Sequence, residues 1–127
     1  MSDKLVVDLD GTLALSDRTR SYADLDPDQD LVQVLRDYRT QGYEIVIYTS
    51  RNMRTHANNV GRINARTLPV IVEWLNRHDI PHDEIHVGKP WCGETGFYID
   101  DRAVRPSEVK GLSEEEVQNL LESEKGR

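Results

Sequence analysis

The sequence predicts an α/β fold: a mostly parallel sheet set in three layers, with helices on both faces. Three observations carry that expectation. Short β-branched runs alternate along the chain with segments that are apolar at helical spacing. Those runs are too uniformly apolar for strands wetted on one face, which fits strands covered on both. The 127 residues hold no repeat, low-complexity tract or long linker, so residues 1–127 read as a single domain.

Each element has a local reason. Residues 4–9 (KLVVDL) form a short apolar run that ends in Asp10-Gly11-Thr12, a buried strand feeding a tight turn. Asp26 then offers a helix N-cap, with Pro27 at the first helical position. Leu31, Val34, Leu35 and Tyr38 recur at helical spacing as far as Gly42, a C-terminal cap. Residues 43–49 (YEIVIYT) are the strongest strand in the chain. Residues 52–66 are polar and carry no clear period. Thr67 and Pro69 open a further helix with Val70, Ile71, Trp74 and Leu75 on one stripe, and Pro81 follows its end. Residues 84–87 (EIHV) and 97–100 (FYID) read as two more strands around the turn-rich GKPWCGETG. Ser113 and Glu116 form a capping box for a last helix that runs to about Glu122.

Composition narrows the function. A net charge of −7 and a pI near 5.0 argue against a protein that tracks nucleic-acid phosphates over a broad surface. Cys92 is the single cysteine, so no internal disulfide can form, and nothing points to an oxidising compartment. The opening MSDKLVVDLDG is too short and too polar for a signal peptide, and no run is long enough to span a membrane. The expectation is a soluble, cytoplasmic protein with no membrane partner.

In parallel α/β sheets, chemistry collects at the carboxyl ends of the strands. Asp8, Asp10 and Thr12 follow the first strand, and Thr49, Ser50 and Arg51 end the second. Lys89 follows the third, and Asp100 and Asp101 end the fourth. Carboxylates brought that close repel one another unless a cation lies among them. An all-oxygen set suits a hard divalent ion, Mg²⁺ above all. A carboxylate beside such an ion can attack phosphorus. Taken singly, each piece also reads as an ordinary turn, cap or surface residue; together, in this order, they point to a site. The four histidines His56, His78, His82 and His86 match no zinc pattern.

The ordered motifs DLDGT, IVIYT, VGKP and YIDDR resemble those of the haloacid dehalogenase superfamily of phosphohydrolases, over residues 5–106. The stretch from Thr49 through GKPWCGETGFYIDDRAVRP also resembles a small branch of short members described as capsule or polysaccharide biosynthesis phosphatases. The resemblance implies a Rossmann-like core in which Asp8 is the nucleophile and Asp10 the general acid/base, while Thr49 and Lys89 hold the phosphoryl oxygens. It implies Mg²⁺ held by Asp8, the backbone carbonyl of Asp10, and the Asp100–Asp101 pair, with Asp101 favoured as the direct ligand. Candidate substrate-binding residues are Gly11, Thr12, Ser50, Arg51 and Arg54. Arg51 and Arg54 open a basic stretch, with His56, Arg62 and Arg66, that could meet a second anionic group of the substrate.

Asp8 and Thr49 lie 41 residues apart, and Thr49 and Lys89 lie 40 apart, which leaves no room for the inserted cap domain of many relatives. The site is therefore expected to be open, unless a neighbouring subunit of a homo-oligomer covers it. The implied function is hydrolysis of a small phosphorylated metabolite, with a sugar phosphate favoured. Alternatives are a nucleotide or polynucleotide-end phosphatase, a phosphomutase, and a non-catalytic binding module.

Overall fold

The computed structural model describes residues 2–125; Met1, Gly126 and Arg127, the ends of the expected domain, lie outside the described residues. The chain divides into two compact units, one running to Trp91 and the other starting at Cys92.

The first unit is an α/β sheet protein. Strands β1 (Lys4–Val7), β2 (Glu44–Tyr48) and β3 (Glu84–His86) form a three-stranded parallel sheet in the order β1-β2-β3. Leu5 faces Ile45 across β1 and β2, and Ile47 faces Ile85 across β2 and β3. Helix α1 (Gln29–Thr40) connects β1 to β2. Helices α2 (Val60–Arg66) and α3 (Leu68–Arg77) connect β2 to β3. Among the described residues there is no separate cap domain, and no helix is long and apolar enough to cross a membrane.

The core lies where sequence pattern and sheet position agree. Ile45, Val46 and Ile47 of the central strand are buried, as expected of a strand covered on both faces. Strand β1 differs from expectation. It is the sheet's edge, and Val6 is 62% exposed, so the buried apolar residues of this segment are Leu9 and Leu13 beyond the strand end. Ile63, Ile71, Trp74 and Leu75 complete the core from α2 and α3, and the Trp74 indole donates to the Leu25 carbonyl at 2.7 Å.

Helix ends show why the chain turns where it does. The last turn of α1 closes through two bonds, Gly42 N–H to the Arg39 carbonyl (3.0 Å) and Tyr43 N–H to the Tyr38 carbonyl (3.2 Å). The rings of Tyr38 and Tyr43 meet edge to face at 5.1 Å, the apolar contact that accompanies this type of cap. The start of α1 corrects the expectation of an Asp26 cap with Pro27 at the first helical position. Leu15 N–H donates to the Asp26 carbonyl and Asp28 N–H to the Leu13 carbonyl, so residues 26–28 run extended against 13–15. The helix begins after them, capped by Asp28, whose carboxylate accepts from the Leu31 amide. Thr67 likewise makes no side-chain cap for α3: its backbone is already helical, at φ −90° and ψ −44°, and its hydroxyl donates to Asn52 Oδ1 at 2.8 Å. The aperiodic stretch after β2 contains a run of turns and then α2, capped by Asn59.

The second unit carries α4 (Pro106–Gly111) and α5 (Glu114–Glu122). The Ser113–Glu116 capping box of α5 is present, with both of its reciprocal bonds. The strand expected at 97–100 is not formed: Phe97 is 76% and Ile99 90% exposed. A strand exists only where a neighbouring backbone completes its ladder, and these residues pair with no strand among those described.

Candidate active site

The carboxyl ends of β1 and β2 and the loop after β3 bring nine of the eleven expected site residues into the first unit. Asp8 lies one residue past β1. The Thr12 hydroxyl donates to its Oδ2 at 3.0 Å, and Lys89 Nζ approaches its Oδ1 at 3.4 Å. Gly11 lets the chain fold back so tightly: at φ +79° it occupies backbone space that side-chain-bearing residues rarely adopt. Lys89 is three-quarters or more sheltered, its ammonium 5.9 Å from the Tyr48 ring centroid.

Thr49 joins the parts. It is 1% exposed. Its amide donates to the His86 carbonyl, and its own carbonyl accepts from the Lys89 amide at 3.1 Å. Its hydroxyl accepts from the Arg51 amide at 3.0 Å. Gly88, at φ +84°, turns the chain after β3 so that Lys89 reaches this bond; a Cβ there would lie 3.1 Å from Val60 Cγ2.

Asp10 is held from the other side. Arg51 Nε donates to Oδ2 at 3.0 Å and Nη2 to Oδ1 at 2.8 Å, a two-pronged clamp on the carboxylate. The guanidinium carbon lies 4.3 Å from the Tyr22 ring centroid, a cation–π stack. The Arg51 side chain is 1% exposed, and its Nη1 is buried with no hydrogen-bond partner among the described residues. A buried donor left unmade costs about 1–3 kcal/mol, so the surroundings must hold this arginine in place against that cost. Arg51 thus turns inward onto Asp10. Arg54 is exposed, and Ser50 is half-buried, its carbonyl accepting from the Met53 amide. Tyr22 carries no sequence signal, since it sits in an aperiodic loop and is recognised only by its stack on Arg51.

Asp100 and Asp101 lie in the second unit, and both are exposed. The Asp100 carboxylate accepts from the Arg102 amide at 2.7 Å, an aspartate turn. Among the described residues no group of three or more His, Cys, Asp and Glu side chains is assembled as a cation site. The donors at the end of β1 still fit Mg²⁺ chemically. Asp8 supplies a partly exposed carboxylate, and Mg²⁺ commonly takes one or two carboxylates with water and substrate oxygens in its remaining positions. Asp10's carboxylate is committed to Arg51, which leaves its backbone carbonyl as the oxygen it could offer.

Neither a scan of family models nor a search of curated proteins found a match. Among solved structures, a crystal structure of a target protein from Vibrio cholerae is 57% identical, covering 97% of this chain and 99% of that one, with a TM-score of 0.94. Chains of the Pnkp1/Rnl/Hen1 complex and of the Pnkp1/Rnl/Hen1 RNA repair complex are 23% and 21% identical, each with a TM-score of 0.49. Those two matches cover 68% of this chain but only 28% and 26% of the chains they match. With identity of 57% along nearly the full length of both, this chain belongs to the same family as the Vibrio cholerae protein.

Proposed function

We propose that the protein is a Mg²⁺-dependent phosphomonoester hydrolase in which Asp8 forms an aspartyl-phosphate. The observation that carries this reading is the setting of Asp8: one carboxylate oxygen faces the Lys89 ammonium and the other the Thr12 hydroxyl, at a strand end with a second carboxylate two residues on. Asp8 attacks phosphorus in line, forming an O–P bond while the bond to the leaving oxygen breaks. Asp10 delivers a proton to that oxygen, then takes one from the water that cleaves the aspartyl-phosphate. Lys89 offsets charge on the phosphoryl oxygens as they transfer. Thr49, whose hydroxyl oxygen already accepts from the Arg51 amide, keeps its hydroxyl hydrogen to donate to a phosphoryl oxygen. A Mg²⁺ ion held by Asp8 and the Asp10 carbonyl would neutralise further charge on the same oxygens; its other protein donors are expected from Asp100 and Asp101.

An open site without a separate cap favours a small phosphorylated metabolite, a sugar phosphate first, and a second subunit of the same chain is the partner expected to cover it. The test is phosphate release from a panel of sugar phosphates, mononucleotides and a 3′-phosphorylated oligonucleotide, with Mg²⁺ and with chelator. Release from a small ester, abolished by chelation and restored by Mg²⁺, supports the reading. No release from any ester overturns it, and release confined to the oligonucleotide overturns the small-substrate assignment.

A further inference from the structure

We infer that Arg51 is the positioning residue of the general acid/base: it fixes the Asp10 carboxylate in orientation, and Tyr22 fixes Arg51. The inference rests on the hydrolase reading above and gives Arg51 a role other than binding substrate. Three observations carry it. The clamp is two-pronged and engages both carboxylate oxygens, at 3.0 and 2.8 Å, which removes the rotation a single bond would leave. The arginine is sealed from solvent, so no substrate group can reach it without rearrangement. Its remaining terminal nitrogen, Nη1, finds no partner among the described residues, so the guanidinium's position is set by Asp10 on its edge and Tyr22 on its face rather than by satisfying all its donors.

The backbone reinforces this alignment. The Arg51 amide donates to the Thr49 hydroxyl, which ties the base of the arginine to the end of β2, while the guanidinium reaches back to the loop after β1. The clamp therefore holds two strand ends in register as well as one carboxylate. Proton transfer to the leaving oxygen needs one Asp10 oxygen to exchange its bond to Arg51 for the substrate. The other bond keeps the carboxylate aligned during that exchange.

A residue that acts through the general acid has a distinctive signature. p-Nitrophenolate leaves without a proton, whereas an alkoxide needs one, and kcat/KM reports the steps up to transfer onto the enzyme. Arg51→Lys keeps the charge and loses the fork. It should lower kcat/KM for ethyl phosphate about 100-fold, and for p-nitrophenyl phosphate by less than about 10-fold, as misalignment of a catalytic group would. With Asp10→Ala already in place, Arg51→Lys should cost almost nothing more on ethyl phosphate. Tyr22→Leu, a change at a partly exposed ring, should show the same leaving-group pattern at smaller amplitude and serves if Arg51→Lys does not fold. Equal losses on both esters, additive losses with Asp10→Ala, or no loss would overturn the inference. If the wild type turns over neither ester, the alkyl phosphate of the panel that it cleaves best takes the place of ethyl phosphate, and a protein inactive on every ester would instead overturn the hydrolase reading on which the inference stands.

Discussion

The amide of Lys89 donates to the carbonyl of Thr49 at 3.1 Å, binding the loop after β3 to the end of β2. This one backbone bond places the ammonium that faces Asp8, and Gly88 makes it possible. Gly88→Ala would demand a left-handed alanine whose Cβ presses on Val60. Left-handed strain at a non-glycine residue costs on the order of 1–3 kcal/mol, so thermal unfolding should show a loss of that size. Activity should fall more than stability predicts, because Lys89 is displaced. An unchanged melting temperature would show that the loop relaxes freely.

Asp8→Asn should leave the fold intact while removing the nucleophile. Thr12 can still donate to the amide oxygen, so the melting temperature should move little. Phosphate release should fall by several orders of magnitude, read as initial rates on the best substrate of the panel. Turnover near that of the wild type would remove Asp8 from the chemistry.

Asp101→Ala and Asp100→Ala should separate a metal ligand from a turn residue. The Asp100 carboxylate is engaged with the Arg102 amide, whereas Asp101 makes no such bond among the described residues. Asp101→Ala should raise the Mg²⁺ concentration for half-maximal activity by about 10–100-fold, the scale on which metal-site partners act. Identical Mg²⁺ titrations for wild type and both variants would exclude the pair from metal binding.

Trp74→Phe should destabilise the first unit by about 2–3 kcal/mol. Packing loss from a smaller ring adds to a Leu25 carbonyl left without its indole donor. Chemical denaturation with a fixed m-value is the measurement. A loss below the noise would show that the neighbourhood closes around the smaller ring.

At the opposite end of the sheet, Lys4 reaches Glu84 at 2.7 Å and Glu44 at 3.8 Å, linking all three strands. The hydrogen bond to Glu84 is the main cause holding the Lys4 ammonium above its ordinary range, and the same bond holds Glu84 below the usual carboxylate range. Glu84's contribution is therefore present above the ordinary carboxylate pKa and lost as pH falls through its lowered value. Lys4's contribution is present below the ordinary lysine pKa and lost as pH rises through its raised value. Lys4 is exposed and Glu84 half-buried with an exposed carboxylate end, so the effect should be small and salt-sensitive. The stability difference between wild type and Lys4→Met should accordingly vanish in strong acid, and a difference that persists there would mean packing, not charge, is responsible.

The fold was legible where local chemistry and tertiary context agree. Central strand β2 reads as buried because Ile45, Val46 and Ile47 are apolar without alternation, and Gly42 announces the end of α1. Context overrode pattern elsewhere. Asp26-Pro27 looks like a helix start, but those residues are drawn into pairing with 13–15, and Asp28 takes over the cap. FYID has strand composition, yet composition cannot supply a partner strand. For the site, spacing brought out Asp8, Asp10, Thr49 and Lys89, because strand ends converge whatever the loops do. The inward turn of Arg51 was not legible, since an arginine in a basic loop looks the same whether it points to solvent or to a carboxylate forty-one positions earlier.

The central claim is a phosphoryl group carried on Asp8, and rapid acid quench during turnover tests it most directly. With the best substrate of the panel and Mg²⁺ in excess, mass spectrometry of the quenched protein should find a phosphoryl group on the peptide that contains Asp8. It should form and decay at least as fast as phosphate is released, and it should be missing from Asp8→Asn. Full-rate phosphate release with no protein-bound phosphoryl group, or with one on another residue, would contradict the account.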